Sequence, residues 1–318
     1  MIEVRDLRKS YDLRFGRQKI TVDAVRGISF DVGPGEVLGF LGSNGAGKTT
    51  TLRMLTTLIK PDGGGATIAG ADLVKEPNEV RRRIGYVSQG GSTWGDATAR
   101  EELVMHARMY GISKAEAHRR AERALETFGL TEYADRRCKT YSGGQRRRVD
   151  IAMGMINDPQ VLFLDEPTAG LDPAGRAEIR EEVKRLRAEG MTVLITTHYL
   201  DEADALCDRI AIIDQGQIVA NDSTESLKRE IAGDVVTLNL NGSTPAAHKL
   251  LDEEPYVAKI EPLEEHGLRL YVESGSASIT HILRTLDGAG IVPDSIEVHR
   301  PSLDDVFLAK AGRSLNVS

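Results

Sequence analysis

The sequence is poor in cysteine. Its 318 residues include two, Cys138 and Cys207, and neither sits in a Cys-x-x-Cys or Cys/His pattern. Two such residues make no disulfide framework and offer no zinc site, and a reducing cytoplasm fits. Long apolar runs are also missing. None approaches the roughly 18 residues needed to span a bilayer, so the chain is not expected to cross a membrane by itself, although it could dock on something that does. The first residues, Met1-Ile2-Glu3-Val4-Arg5, lack the apolar region of a signal peptide. Excess positive charge is absent too: 41 Lys and Arg face 48 Asp and Glu, a formal net charge of −7. That balance argues against a dedicated nucleic-acid binder. Two short basic runs, Arg81-Arg82-Arg83 and Arg146-Arg147-Arg148, read as solvated helix faces. There is one tryptophan, Trp94, and no internal repeat.

What is present is a 40% apolar chain, enough for a sizeable core in one large or two smaller domains. Residues 2–7, 28–32 and 37–41 read as strands separated by turn residues such as Gly33-Pro34-Gly35. A helix follows, with Leu52, Leu55, Leu58 and Ile59 at helical spacing and Pro61 beyond. Residues 66–68 and 84–87 read as further strands. From about 90 to 157 the pattern is mostly helical, in three segments, the last opening at Ser142. Alternation then returns, with strands at 161–164 and 193–196, helices at 174–189 and 200–206, and a hairpin across Asp214-Gln215-Gly216. This order predicts an α/β core with a largely parallel sheet and an inserted helical subdomain, ending near residue 228.

A second, α+β domain is expected over residues 231–312, beginning near Ile231. Its order, βαββαβ, resembles a ferredoxin-like fold, with one turn at Glu264-Glu265-His266-Gly267. Ser302 is a plausible N-cap for a short final helix.

The chemistry concentrates in a few runs. Gly42-Ser43-Asn44-Gly45-Ala46-Gly47-Lys48-Thr49 matches Gly-x-x-x-x-Gly-Lys-Ser/Thr after a strand and before a helix. Glycines let backbone N–H groups approach phosphate oxygens, and the helix N-terminus adds about half a positive charge. Lys48 would reach the β- and γ-phosphates of ATP, Thr49 would hold Mg²⁺, and Thr50 follows in the same helix start. The run Val161-Leu162-Phe163-Leu164-Asp165-Glu166 is a buried strand that delivers two acids at its C-terminal edge. Asp165 would bind Mg²⁺, and Glu166 would polarise the attacking water. Ser142-Gly143-Gly144-Gln145 precedes a helix and offers a hydroxyl, close backbone approach and a helix dipole, which makes a second anion site.

Together these runs resemble the ATP-binding subunits of ABC transporters over residues 1 to about 225. The resemblance implies a P-loop ATPase fold. In that pattern Gln89 matches the glutamine that contacts Mg²⁺ and the water, Ser142 to Gln145 the signature motif, and Asp172 lies in the loop Ala169-Gly170-Leu171-Asp172 at the dimer interface. His198 matches the switch histidine that contacts the γ-phosphate. One chain has one phosphate loop and one signature. If both grip one γ-phosphate, two copies pack head to tail and Ser142, Gly143, Gly144, Gln145 and Asp172 act in trans. Tyr141 and Ser43 stand where the family commonly has Leu and Pro. Tyr11 best matches the aromatic that stacks on adenine. Phe15 is the alternative, because residues 12–21 are more numerous than the family's usual segment, and a core aromatic is open for either.

The resemblance implies a peripheral subunit on the cytoplasmic face of the membrane. It would energise separate membrane-spanning permease subunits near Gln89 and Ser92-Thr93-Trp94, with no nucleic acid as partner. The end of the chain, Pro301 to Leu308 and the residues to Arg313, resembles daunorubicin-resistance-type ATPases, which energise exporters of drugs or other hydrophobic compounds. An amphipathic helix that covers the C-terminal domain, or docks on a second protomer, fits the same residues. The other reading is a soluble ABC ATPase acting on ribosomes or DNA. Such proteins usually fuse two ATPase units or carry zinc or coiled-coil insertions.

Overall fold

The computed structural model describes residues 1–15, 18–230, 233–240, 244–263 and 267–311, with side chains from 1–12 and from 20 onward within those ranges. Ile231, the turn residues Glu264, Glu265 and His266, and the segment from Gly312 lie outside the described residues. The chain divides into two compact units, one ending at Ser223 and one beginning at Thr224.

The first unit opens with β1 (Ile2–Phe15) and β2 (Gln18–Val32), one antiparallel hairpin. The two strands stay paired into the longer segment after Tyr11: Asp12 pairs with Thr21, whose hydroxyl donates to the Asp12 carboxylate at 2.9 Å. Next come β3 (Val37–Leu41) and α1 (Lys48–Leu55). The helix is shorter than its apolar spacing predicts. Thr57 takes a left-handed backbone, φ 62, and the N–H groups of Leu58 and Ile59 turn back onto the Arg53 carbonyl. Leu58 therefore falls outside the helix and is 59% exposed.

The unit continues through β4 (Gly63–Ile68), β5 (Ala71–Asp72), α2 (Pro77–Arg83) and β6 (Ile84–Val87). The helical insertion follows as α3 (Ala99–Met109), α4 (Lys114–Thr127) and α5 (Gly143–Met155). Thr98, Ser113 and Ser142 cap these three helices through their hydroxyls. Then come β7 (Val161–Asp165), α6 (Pro173–Ala188), β8 (Thr192–Thr197), α7 (Leu200–Leu206), β9 (Arg209–Asp214) and β10 (Gln217–Ser223).

The central sheet has the order β10-β9-β3-β8-β7-β6. It is parallel from β9 to β6, with β10 antiparallel at one edge. Every residue of β3, β7 and β8 is buried, and their apolar stretches, such as Val161-Leu162-Phe163-Leu164 and Val193-Leu194-Ile195, suit strands covered on both faces. A second sheet, β2-β1-β4-β5, is antiparallel. One core joins the two: Phe30 from the second sheet meets Phe40 from the first edge-to-face, ring centroids 5.0 Å apart. Parallel strands carry their C-terminal ends to one edge. The phosphate loop follows β3 there, Asp165 ends β7, His198 follows β8 and Gln89 follows β6.

The second unit starts with α8 (Thr224–Glu230). It continues through β11 (Asp234–Asn239), α9 (Thr244–Asp252), β12 (Val257–Leu263), β13 (Gly267–Val272), α10 (Gly275–Gly288), β14 (Ser295–His299) and α11 (Leu303–Ala311). Its sheet, β12-β13-β11-β14, is antiparallel throughout, which is the ferredoxin-like order of a βαββαβ chain. Val236, Leu238 and Leu270 of the sheet pack with Leu251, Ile282 and Leu286 of the helices. Ser302 opens α11: its hydroxyl accepts the Asp305 N–H at 3.4 Å, and its own N–H donates to Asp305 at 2.8 Å.

Candidate nucleotide site

The loop between β3 and α1 is shaped by what its backbone must avoid. Gly47 has φ 109, and a Cβ there would lie 2.5 Å from the Ala24 carbonyl oxygen, so only glycine fits. The Ala46 carbonyl accepts the Gly216 N–H at 2.9 Å, which ties the loop to the β9–β10 turn. The loop bounds a cleft of about 220 Å³ lined by Ala24, residues 43–50, Gln89 and Glu166. Backbone N–H groups, the start of α1 and a lysine make it an anion site.

Lys48 is 4% exposed. Its ammonium donates to the carbonyls of Gly42 at 2.6 Å and Ser43 at 3.1 Å, and lies 3.6 Å from Glu166 Oε1. Burial pulls its pKa below the ordinary lysine value, with Glu166 acting in the opposite direction. Asp165 is buried and accepts hydroxyl protons at Oδ1 from Thr49 at 3.0 Å and Thr196 at 2.7 Å. Glu166 follows with φ 44, a left-handed backbone that costs a non-glycine residue on the order of 1 kcal/mol. Its N–H donates to both the carbonyl and the hydroxyl of Thr196, at 3.1 and 2.9 Å. Glu166 Oε2 accepts from Gln89 Nε2 at 2.9 Å and lies 3.2 Å from His198 Nδ1. Lysine, amide and imidazole thus converge on one buried carboxylate beside the phosphate loop.

The other predicted residues lie elsewhere. Ser142 caps α5, with a reciprocal bond pair to Gln145, 3.1 Å each way. Ser142 and Gly143 are exposed, and Gly144 is buried where α5 meets α6; its added Cβ would lie 3.3 Å from the Gly175 Cα. Asp172 caps α6, accepting the Gly175 N–H at 2.9 Å. None of these five lines the cleft. Neither does Tyr11, which pairs with Val22 in the long hairpin and has the Lys9 ammonium 5.7 Å from its ring centre. The side chain of Phe15, the alternative for adenine stacking, lies outside the described residues.

Three contributors escaped the sequence reading. Ala24 lines the cleft. Thr196 bonds the Asp165 carboxylate and the Glu166 N–H, and its signal was a hydroxyl directly after the apolar run Val193-Leu194-Ile195. Arg147 corrects the reading of the run Arg146-Arg147-Arg148 as a solvated face: it is 5% exposed. Helical spacing places it on the buried face of α5 with Gly144, Ile151 and Gly154, which was the available signal.

Comparison with known proteins identifies the family. Residues 25–169 match the family model described as ABC transporter, and residues 223–311 match "ATP-binding protein DrrA1-3-like, C-terminal domain". The daunorubicin resistance ATP-binding protein DrrA2 of Streptomyces coeruleorubidus is 43% identical over 96% of this chain and 94% of its own length. The linearmycin resistance ATP-binding protein LnrL of Bacillus subtilis is 37% identical over 99% of both. Among solved structures, a dimeric ATP-binding cassette in a post-hydrolysis state bound to ADP and Pi superposes with a TM-score of 0.62 at 27% identity, covering 70% of this chain and 98% of that one. The chain belongs to the ATP-binding subunits of the ABC transporter family. As a member it binds and hydrolyses ATP for a transporter.

Proposed function

We propose that this chain energises a membrane exporter for drugs or other hydrophobic compounds, through ATP sites shared between two copies of itself. The carrying observation is the convergence of Lys48, Gln89 and His198 on Glu166 at the phosphate loop, while the Ser142 helix start of the same chain stays outside that cleft. The loop N–H groups and Lys48 hold the ATP phosphates. Glu166 polarises a water that attacks the γ-phosphorus; the bond to the β–γ bridging oxygen breaks, leaving ADP and inorganic phosphate. Gln89 and His198 orient that water and the γ-phosphate. Ser142, Gly143, Gly144 and Gln145 of the second copy close the site, with Asp172 at the interface.

Thr49, which lines the cleft, and Asp165 present hard oxygen donors 3.0 Å apart, and Gln89 lines the same cleft, a set that suits Mg²⁺. Bound there, the ion would offset the phosphate charge. The export reading draws on the resistance proteins to which the whole chain is similar. Among the described residues no helix is long and apolar enough to cross a membrane. On the likeness to the resistance ATP-binding proteins, the pathway is assigned to separate permease subunits and this chain to the cytoplasmic membrane face. Trp94, 63% exposed, and Met105 and Met109, exposed on α3, are the apolar side chains of this subdomain assigned to a permease segment. Glu166→Gln is expected to abolish turnover while the chain still binds ATP. Turnover at the wild-type rate in this variant would remove Glu166 from the hydrolytic step.

A further inference from the structure

Helix α5 opens at Ser142, yet its buried face grips the opposite end of the chemistry. Arg147 lies five residues into the chain from Ser142, and its guanidinium makes four bonds, all to backbone carbonyls. Nε donates to Pro167 at 2.7 Å, Nη1 to Ser88 at 2.6 Å, and Nη2 to Asp165 and Glu166 at 3.1 and 3.2 Å. The nearest carboxylate, Asp150, is 3.9 Å away. Three of those carbonyls belong to the successive residues at the end of β7, where Glu166 holds its left-handed φ. The fourth belongs to the residue before Gln89.

Asp150 sits one turn further along α5 and is 6% exposed. Its Oδ1 accepts the N–H groups of Ser92 and Thr93 at 2.8 and 3.0 Å, and the Thr93 hydroxyl at 2.6 Å. The loop that carries Gln89 is therefore pinned on both sides by one helix. Arg146 adds a bond to the Thr93 carbonyl at 3.2 Å.

We infer that Arg147 and Asp150 are positioning residues, which hold Glu166 and the Gln89 loop in fixed register with the helix that opens at Ser142. The arrangement is physically specific. A planar fork with five N–H groups can serve carbonyls from two separate segments at once, and an ammonium cannot reproduce that spread. Burying such a charge is costly unless its donors are met, and the carbonyls that meet them are those of the hydrolytic strand end. Because α5 is one rigid helix, a shift of the signature end is transmitted to Glu166 and Gln89 of the same chain. In a head-to-tail pair these serve the other of the two ATP sites, so the helix couples one site to the other.

The inference rests on Glu166 and Gln89 acting in hydrolysis, and its test separates the two ideas. Arg147→Lys keeps the charge and most of the stem but loses the fork. In the full chain, kcat is expected to fall by about tenfold or more, as displaced catalytic groups do. ATP affinity measured by equilibrium binding stays within about twofold, and the unfolding profile matches that of the wild-type chain. An unchanged kcat, or a parallel loss of ATP affinity, would overturn the proposal. Should Arg147→Lys fail to fold, Thr93→Val cuts one bond at the half-buried end of the network. A kcat lowered about threefold at equal affinity is then expected, and an unchanged kcat overturns the proposal. Glu166→Gln is run alongside. If it hydrolyses at the wild-type rate, the assignment of Glu166 fails and the inference with it. If it is inactive while Arg147→Lys matches wild type, the assignment stands and the role of Arg147 falls alone.

Discussion

The phosphate-loop cleft and the Ser142 helix start are both built for anions, but they are built differently. In the cleft the charges are buried and held by one another: Lys48 by two carbonyls and Glu166, Asp165 by two threonine hydroxyls. At the helix start, Ser142 and Gly143 are exposed and their partners are local, a cap closed by Gln145. One region gathers the groups to which hydrolysis is assigned in the proposal. The other presents a helix N-terminus with exposed first residues and contributes no residue to the cleft lining. The Ser142 helix start is therefore left as an exposed surface with the N–H groups and dipole that favour an anion, which is the basis of the proposal that a second copy supplies the phosphate.

Ser142→Ala strikes this contrast hardest. Hydrolysis is expected to drop by about a hundredfold or more, the scale of losing a preorganised donor at a charged transition state. The ATP affinity of the monomer stays unchanged in equilibrium binding. A large loss of monomer affinity would place the serine in its own chain's cleft.

Next in size is a comparison of the two thiols. Cys138 lies just before the signature, and Cys207 packs its sulfur against Gly39 of the strand that feeds the phosphate loop. Burial pushes the Cys138 pKa up to about 11, and raises that of Cys207 as well. A raised thiol pKa means less thiolate below it, so labelling of the native chain should quicken with pH up to that value. At pH 8, iodoacetamide should label Cys138 about a hundredfold more slowly in the native chain than in urea, from the two-unit difference alone. Equal rates would mean that the segment before the signature opens readily.

The smallest effect is expected from Gly144→Ala. The new methyl would meet Glu178 Oε2 at 3.1 Å and the Gly175 Cα at 3.3 Å, so α5 and α6 must part slightly. A stability loss of about 1–3 kcal/mol by urea unfolding is the scale for such overpacking. No loss would show that the helix start is loosely seated.

Much of this site was legible because its determinants are local. Gly47, Lys48 and Thr49 sit together between a strand and a helix, and Asp165-Glu166 ends an apolar run. The succession of strand and helix patterns in the second unit likewise marks its βαββαβ order without knowledge of the sheet pairing. What stayed hidden depends on partners distant in sequence. Arg147 looks like surface charge until its four carbonyls, from segments around 88 and 166, are brought beside it. The Asp12–Thr21 pair is a strand register, and no spacing within the segment announces it. Leu58 keeps helical spacing although the helix has ended, because Thr57 leaves the helical region and apolar periodicity does not record that turn.

The claim that the site is completed by a second copy is tested most directly by light scattering on Glu166→Gln with ATP and Mg²⁺. The expected result is twice the monomer mass, returning to monomer when Ser142→Ala is added while ATP remains bound. A Glu166→Gln chain that binds ATP yet stays monomeric would contradict it, as would a dimer indifferent to Ser142.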